Sequence, residues 1–437
     1  MRIAYLLLLG LIATSPALLF VDGPMIHALL VAYAAVAVAL IGALIRPGEA
    51  GHLASVIRPI AIIAAILAVW LIIQMIPLPI KSWTHPIWAD AETALGTTIA
   101  SGITIDPGAT LVAICRYFSA IAILFVATAV TIDRMRTERV LFWLVGVTTL
   151  AAVVQIAHGL VAFEFLDEAT EESIRVSTTA LCALGVIMAA TAVVLAIERY
   201  ETRQPESDLP LIKFALVPGL ALVAFGICAL SLVIFSRAPV GVAAASGLAT
   251  LAILMVIRRL GFGLWAADTI AAMAIGVVII IAIAVAETHA GSGNAMLRYA
   301  THSESSLISM TQRIIADTGW PGTGAGTFAM LLPIYGDSST GTVGTPAPTT
   351  AAQIAIELGR PALWAILIMT IVVLILLSRG ALRRGRDSFY PAAGAGCIVV
   401  LMLQAFCDAS LFSTAVLICT VAALGLGLAQ RVSRTTQ

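Results

Sequence analysis

Ser236-Arg237-Ala238-Pro239 places an arginine in a very short turn between two apolar runs. A guanidinium at membrane depth or at the interface has two uses. It snorkels to lipid headgroups along its own apolar stem, or its planar fork grips phosphate oxygens bidentately. Arg116, Arg298, Arg313 and Arg360 fall on the same side of the apolar runs as Arg237. Arginines converging there would bind a pyrophosphate carried on a lipid. The plainer alternative pairs Arg298 with Glu304 and makes Arg360 an interfacial anchor.

Gly322-Thr323-Gly324-Ala325-Gly326 lacks the preceding strand and the spacing of a dinucleotide fingerprint. It reads as a tight loop that brings backbone N–H groups near a bound anion, or as a plain turn. Carboxylates are few. Glu357 precedes an apolar run, Asp408 sits in a short turn between the last two runs, and His302 lies in a long hydrophilic segment. Each is a candidate general base; for Glu357 and Asp408 the alternative is to hold an arginine in place, and for His302 simple solvation. His158, behind Gln155, reads as a hydrogen-bonding group within the apolar runs.

The elements that must position these residues are apolar. Of 437 residues, 60% are hydrophobic and 11% charged, with a mean hydropathy of +1.05. Soluble domains carry about a quarter charged residues, so this composition excludes a cytosolic enzyme, a nucleic-acid binder and a secreted disulfide scaffold. The six cysteines lie in or beside apolar runs without metal-type spacing, and no metal or cofactor is expected. A bilayer span needs about 20 apolar residues. Twelve stretches qualify: 3–20, 25–45, 57–77, 109–131, 139–163, 177–197, 211–234, 239–257, 265–287, 361–378, 389–407 and 409–430. The expected fold is therefore an all-α polytopic membrane protein, a single integral membrane domain over 1–437.

With the N-terminus inside, only Lys81, Arg116, Arg175, Arg237, Arg298, Arg313 and Arg360 of the 24 basic residues fall outside. Every inner connection is basic, as the positive-inside rule requires, and both termini are expected in the cytoplasm. Two outer segments are long, 78–108 and 288–360. In the second, Leu307, Met310 and Ile314 predict a short amphipathic helix that turns Arg313 away from its apolar stripe.

Several of these pieces resemble one family. Gln74-Met-Ile-Pro77-Leu-Pro79 with Trp83, Ile105-Asp106-Pro107 before Arg116 and Phe118, Leu232 to Arg237, and Gln312-Arg313 before Trp320-Pro321-Gly322-Thr-Gly324-Ala-Gly326-Thr-Phe328 follow in order along most of the chain. Together they resemble the O-antigen ligase and O-antigen polymerase superfamily of bacterial membrane proteins. Two departures stand out. Ala238 replaces a usual glycine after Arg237. In the stretch Ala347 to Gln353, ahead of Glu357 and Gly359, Pro348 stands where the family has a histidine implicated in activating the acceptor hydroxyl, and Thr349 where it has asparagine.

The resemblance implies a class C glycosyltransferase-like bundle of the bacterial inner membrane with its site in the periplasm. Such a protein moves a glycan from undecaprenyl diphosphate to a glycan, lipid A core or protein acceptor, with inversion and without a metal. Arginines would neutralise the leaving diphosphate, and Arg237 and Arg313 match the family's arginine positions. The missing histidine leaves two further readings: a non-catalytic member that binds lipid-linked glycan in an assembly complex, and a twelve-helix transporter.

Overall fold

The computed structural model describes residues 2–21, 23–45, 47–77, 83–99, 101–160, 168–202, 211–288, 290–291, 294–300, 304–336, 346–385 and 387–432. Among the described residues the regular elements are helices, without a strand. They are α1 (Arg2–Thr14), α2 (Pro24–Leu44), α3 (Pro47–Met75), α4 (Ile87–Leu95), α5 (Pro107–Val130), α6 (Arg134–Leu160), α7 (Glu168–Thr202) and α8 (Leu211–Phe235). The second half of the chain forms α9 (Ala238–Arg259), α10 (Leu264–Glu287), α11 (Ser305–Asp317), α12 (Phe328–Tyr335), α13 (Thr350–Glu357), α14 (Arg360–Arg383), α15 (Phe389–Gln404) and α16 (Thr414–Ala429).

The chain is a polytopic membrane protein. Among the described residues nine helices are long and apolar enough to cross a bilayer: α2, α3, α5 to α10 and α14. Each of the twelve expected spans coincides with one helix, but α1, α15 and α16 are shorter, with 13, 16 and 16 residues. Local chemistry ends them. Pro16 has no N–H for the Ile12 carbonyl, and Ser15 Oγ takes that carbonyl at 2.8 Å instead. Between α15 and α16 the chain turns through Asp408, whose Oδ1 accepts the Ser410 N–H at 3.0 Å.

Helix starts follow the same local rules. Asp106 caps α5 by accepting from Gly108 N at 2.8 Å and Ala109 N at 3.1 Å, with Pro107 in the first turn. The centre of the bundle is α7, whose 18-residue apolar window is 72% buried, against 11% for the apolar window of α3. Around α7 pack α6, α8, α9, α15 and α16. Small residues bring these helices close, as is usual where lipid removes the hydrophobic drive between helices. A Cβ on Gly247 of α9 would stand 2.7 Å from the Gly396 carbonyl oxygen of α15. Exposed Val277, Ile280 and Ile281 on α10 and Ile368 on α14 form the apolar surface that a bilayer covers.

The two ends of the bundle differ. One carries ion pairs between helix termini: Arg199 with Glu138, Arg258 with Glu198 at 3.2 Å, Arg134 with Asp387 at 2.8 Å and Arg379 with Asp268 at 3.4 Å. At the other end α11, α12 and α13 form a cap with its own core of Ile314, Ile315, Phe328, Leu331, Leu332 and Ile356. The expected amphipathic helix is α11. Its buried face is Thr311, Ile314 and Ile315, and Arg313 points out.

Candidate functional site

The glycine loop and α13 lock together. Gly322, Gly324 and Gly326 have φ of +83°, +104° and +78°, which favour glycine. A Cβ on Gly322 would lie 2.4 Å from the Glu357 carbonyl oxygen, and one on Gly324 2.3 Å from Thr104 Oγ1. Thr323 N donates to Ile356 O at 2.9 Å and Gly324 N to Glu357 O at 3.0 Å. Gln74 Nε2 donates to both Pro321 O and Glu357 O, at 3.1 and 2.9 Å.

The N–H groups of Gly326 and Phe328 point at a carboxyl group of the protein itself. Glu357 Oε2 accepts from Gly326 N at 2.8 Å; its Oε1 accepts from Phe328 N at 3.3 Å and from Gln353 Nε2 at 3.0 Å. Burial pushes the Glu357 carboxyl up from its ordinary range, and these donors together with the charge of Arg116 pull it back. A carboxylate held this way fastens a loop. As a general base it would have to give up its ties to the loop.

Asp408 is equally engaged. It is 2% exposed, and its Oδ1 accepts from the Ser410 N–H and hydroxyl. Its carbonyl oxygen accepts from Thr350 N at 2.9 Å and Thr350 Oγ1 at 2.8 Å, which seats the start of α13. Burial pushes its carboxyl up to about 6, against the pull of the Ser410 and Gln404 donors. Thr349 caps α13: its Oγ1 accepts from Ala352 N at 3.1 Å and donates to Met296 O at 2.8 Å. Pro348 beside it is buried. His302 lies outside the described residues.

The five arginines do not meet in one cluster. Arg360 donates to Ile315 O at 2.8 Å and closes the end of α11, a structural use close to the anchor alternative. Arg116, half-buried on α5, acts on Glu357. Arg313 is exposed on the outer face of α11. Arg237 is exposed and extended at the N-cap of α9, without a capping bond from its side chain. Arg298 pairs with Glu287 at 2.9 Å, rather than with Glu304.

Arg298 lines a cavity of about 770 Å³ between α9, α10, α14 and α15, while Arg237 is not part of its wall. Its wall includes Pro239, two residues after Arg237, and both members of the Arg298–Glu287 pair. At ~1.5 Å per residue, Asp268 and Glu287 on α10 line it about 28 Å apart. That is close to the ~30 Å hydrocarbon thickness of a bilayer. The wall between them is almost wholly apolar.

Glu287, Tyr299 and Asp268 escaped the sequence reading. Tyr299 OH donates to Glu287 Oε1 at 2.6 Å. Burial, followed by that bond, pushes the phenol up to about 12 and keeps it a donor. Glu287 is the last residue of α10 and looks like an ordinary span boundary; no spacing rule ties it to Arg298 or to the cavity. Among the described residues no group of His, Cys, Asp and Glu has the arrangement to hold a metal ion. Compared with family models and with curated proteins, the chain matches none.

Proposed function

We propose that the chain binds a lipid-linked diphosphate at the Glu287 end of the cavity and transfers the attached glycan to an acceptor hydroxyl. The observation that carries this reading is the Arg298–Glu287 pair at the end of a membrane-length apolar cavity, whose wall begins at Pro239, two residues after Arg237. The isoprenoid chain enters the cavity from its Glu287 end and Arg237 and Arg298 take the phosphates; the resemblance adds Arg313, which faces outward on α11. The ordered resemblance to O-antigen ligases and polymerases supports the same assignment, with undecaprenyl diphosphate as carrier. In this reading all twelve helices embed in the bacterial inner membrane, 288–360 is periplasmic, and both chain ends are cytoplasmic.

The chemistry needs little from the protein beyond charge. The acceptor oxygen attacks the anomeric carbon from the face opposite the diphosphate. The carbon–oxygen bond to the diphosphate breaks, and its electron pair leaves with the phosphate oxygen. Guanidinium groups placed where that charge develops stabilise the transition state. Once Arg298 turns to the phosphates, Glu287 is the carboxylate at this end of the cavity that can take the hydroxyl proton. Glu357 and Asp408 stay committed to the fold.

Buried Pro348, which has no proton-accepting side chain, favours a second reading: a member that binds lipid-linked glycan without transferring it. Glycan display in cells carrying Arg237→Ala or Arg313→Ala tests the first. Loss of transferred glycan with normal protein levels supports it. Unchanged glycan removes it.

A further inference from the structure

The opposite end of the cavity, at the basic end of the bundle, holds a second set of polar groups that the function above does not use. Asp268, Ser378 and Arg379 line the wall at this end. Asp268 Oδ2 pairs with Arg379 Nε at 3.4 Å and lies 4.0 Å from Arg383 Nη2. The Asp268 side chain is 12% exposed, and the two arginines 52% and 62%. Two polar atoms here are buried without a hydrogen-bond partner among the described residues: Asp268 Oδ1 and Ser378 Oγ. Ser378 is 8% exposed. Buried polar atoms are ordinarily satisfied, so such a pair on one cavity wall marks a place where a ligand supplies the partners.

The two atoms ask for different things. Asp268 Oδ1 is an acceptor that needs a donor, preferably cationic; Ser378 Oγ is a donor on a residue that lines the cavity beside Arg379, the neighbour of Arg383 around Asp268. One headgroup meets all of them: a phosphate beside an ammonium that carries hydrogens. We infer that this end of the cavity binds a membrane phospholipid with a primary ammonium headgroup, as in phosphatidylethanolamine. Its phosphate takes Arg379, Arg383 and the Ser378 hydroxyl, its ammonium donates to Asp268 after a small turn of the carboxylate, and one acyl chain lies along the apolar wall toward Ile275. A quaternary choline has no hydrogen to give Asp268, and a glycerol headgroup has no charge for it.

Native mass spectrometry of the full-length protein tests this, with phosphatidylethanolamine, phosphatidylcholine and phosphatidylglycerol of identical acyl chains added in turn. The ethanolamine lipid should bind about tenfold more tightly than the choline lipid, the worth of one charge-assisted hydrogen bond. Asp268→Asn should bring the two level. Gly276→Phe should cut binding of all three, because Gly276 lines the cavity and a Cβ there meets nothing within 4 Å. Should Asp268→Asn fail to give a monodisperse protein, Ser378→Ala replaces it, with a severalfold loss for the ethanolamine and choline lipids alike. Equal binding of the three lipids to the wild type overturns the inference. So does tightest binding of the glycerol lipid, or a preference that survives Asp268→Asn, or unchanged affinities in Ser378→Ala.

Discussion

Arg298 Nη2 lies 2.9 Å from Glu287 Oε2, while Tyr299 OH donates to the other oxygen of the same carboxylate at 2.6 Å. The pair closes one end of a cavity as long as a bilayer is thick, and its side chains are about 46% and 35% exposed. At that exposure an ion pair contributes only about 0–1 kcal/mol to folding. Its partners are therefore free to change without unfolding the protein. Arg298→Ala should leave thermal stability in detergent within about 1 kcal/mol of the wild type and weaken binding of a prenyl diphosphate by roughly tenfold or more. Calorimetric unfolding and a lipid-binding titration on the same sample read the two effects.

Glu357 has the reverse character. Glu357→Ala leaves the Gly326 and Phe328 N–H groups without their acceptor inside the cap. A loss of about 1–3 kcal/mol for each unsatisfied group follows. Hydrogen exchange should rise in 322–328 first and in the transmembrane helices last.

Gly324→Ala tests the same loop from the backbone side. Its φ is +104°, and the new Cβ would lie 2.3 Å from Thr104 Oγ1 and 2.8 Å from Thr104 Cα. Truncating Thr104 therefore cannot relieve the clash. Strain and overpacking together should cost about 2–5 kcal/mol, seen as a lower melting temperature that Thr104→Ala does not restore. Gly276→Ala on α10 meets nothing and adds a better helix former, so it should be neutral or mildly stabilising by up to about 1 kcal/mol.

Asp408 gives a pH dependence with a definite sign. Burial raises its carboxyl to about 6 from an ordinary 3.8. An acid whose folded pKa is raised holds its proton more tightly when folded. Wild-type stability should therefore fall as pH rises from about 4 to about 6 and level off above, by up to about 3 kcal/mol. Asp408→Asn removes the titration. Its melting temperature should match the wild type near pH 4 and exceed it above pH 6, with Gln404 Oε1, otherwise unpartnered, available to the new amide. Thermal unfolding across that range checks the crossing.

The helices were legible because apolar length is written locally. Each expected span has its helix, and Arg313 faces away from the apolar stripe of α11 as its spacing foretold. The three short helices were less legible. Their ends depend on single groups, such as Pro16 withholding an N–H and Asp408 capping Ser410. The glycine run reads as a cradle for a bound anion or as a plain turn, and neither reading names Glu357, whose carboxyl meets Gly326 N from 31 residues further along the chain. Sidedness alone leaves Arg360 either a phosphate binder or an interfacial anchor, and it cannot see the bond that Arg360 makes to Ile315 O. The cavity was invisible for the same reason. It is made where α9, α10, α14 and α15 leave a gap, and no one of them records the gap in its own sequence.

The most direct test of the central claim is a density map of the protein with a non-hydrolysable undecaprenyl diphosphate analogue bound. The account predicts phosphate oxygens within hydrogen-bonding distance of Arg237 and Arg313, Arg298 turned from Glu287 toward them, and prenyl density running between α10 and α14. A diphosphate lodged away from these arginines, with the Arg298–Glu287 pair intact and the cavity without prenyl density, would contradict it.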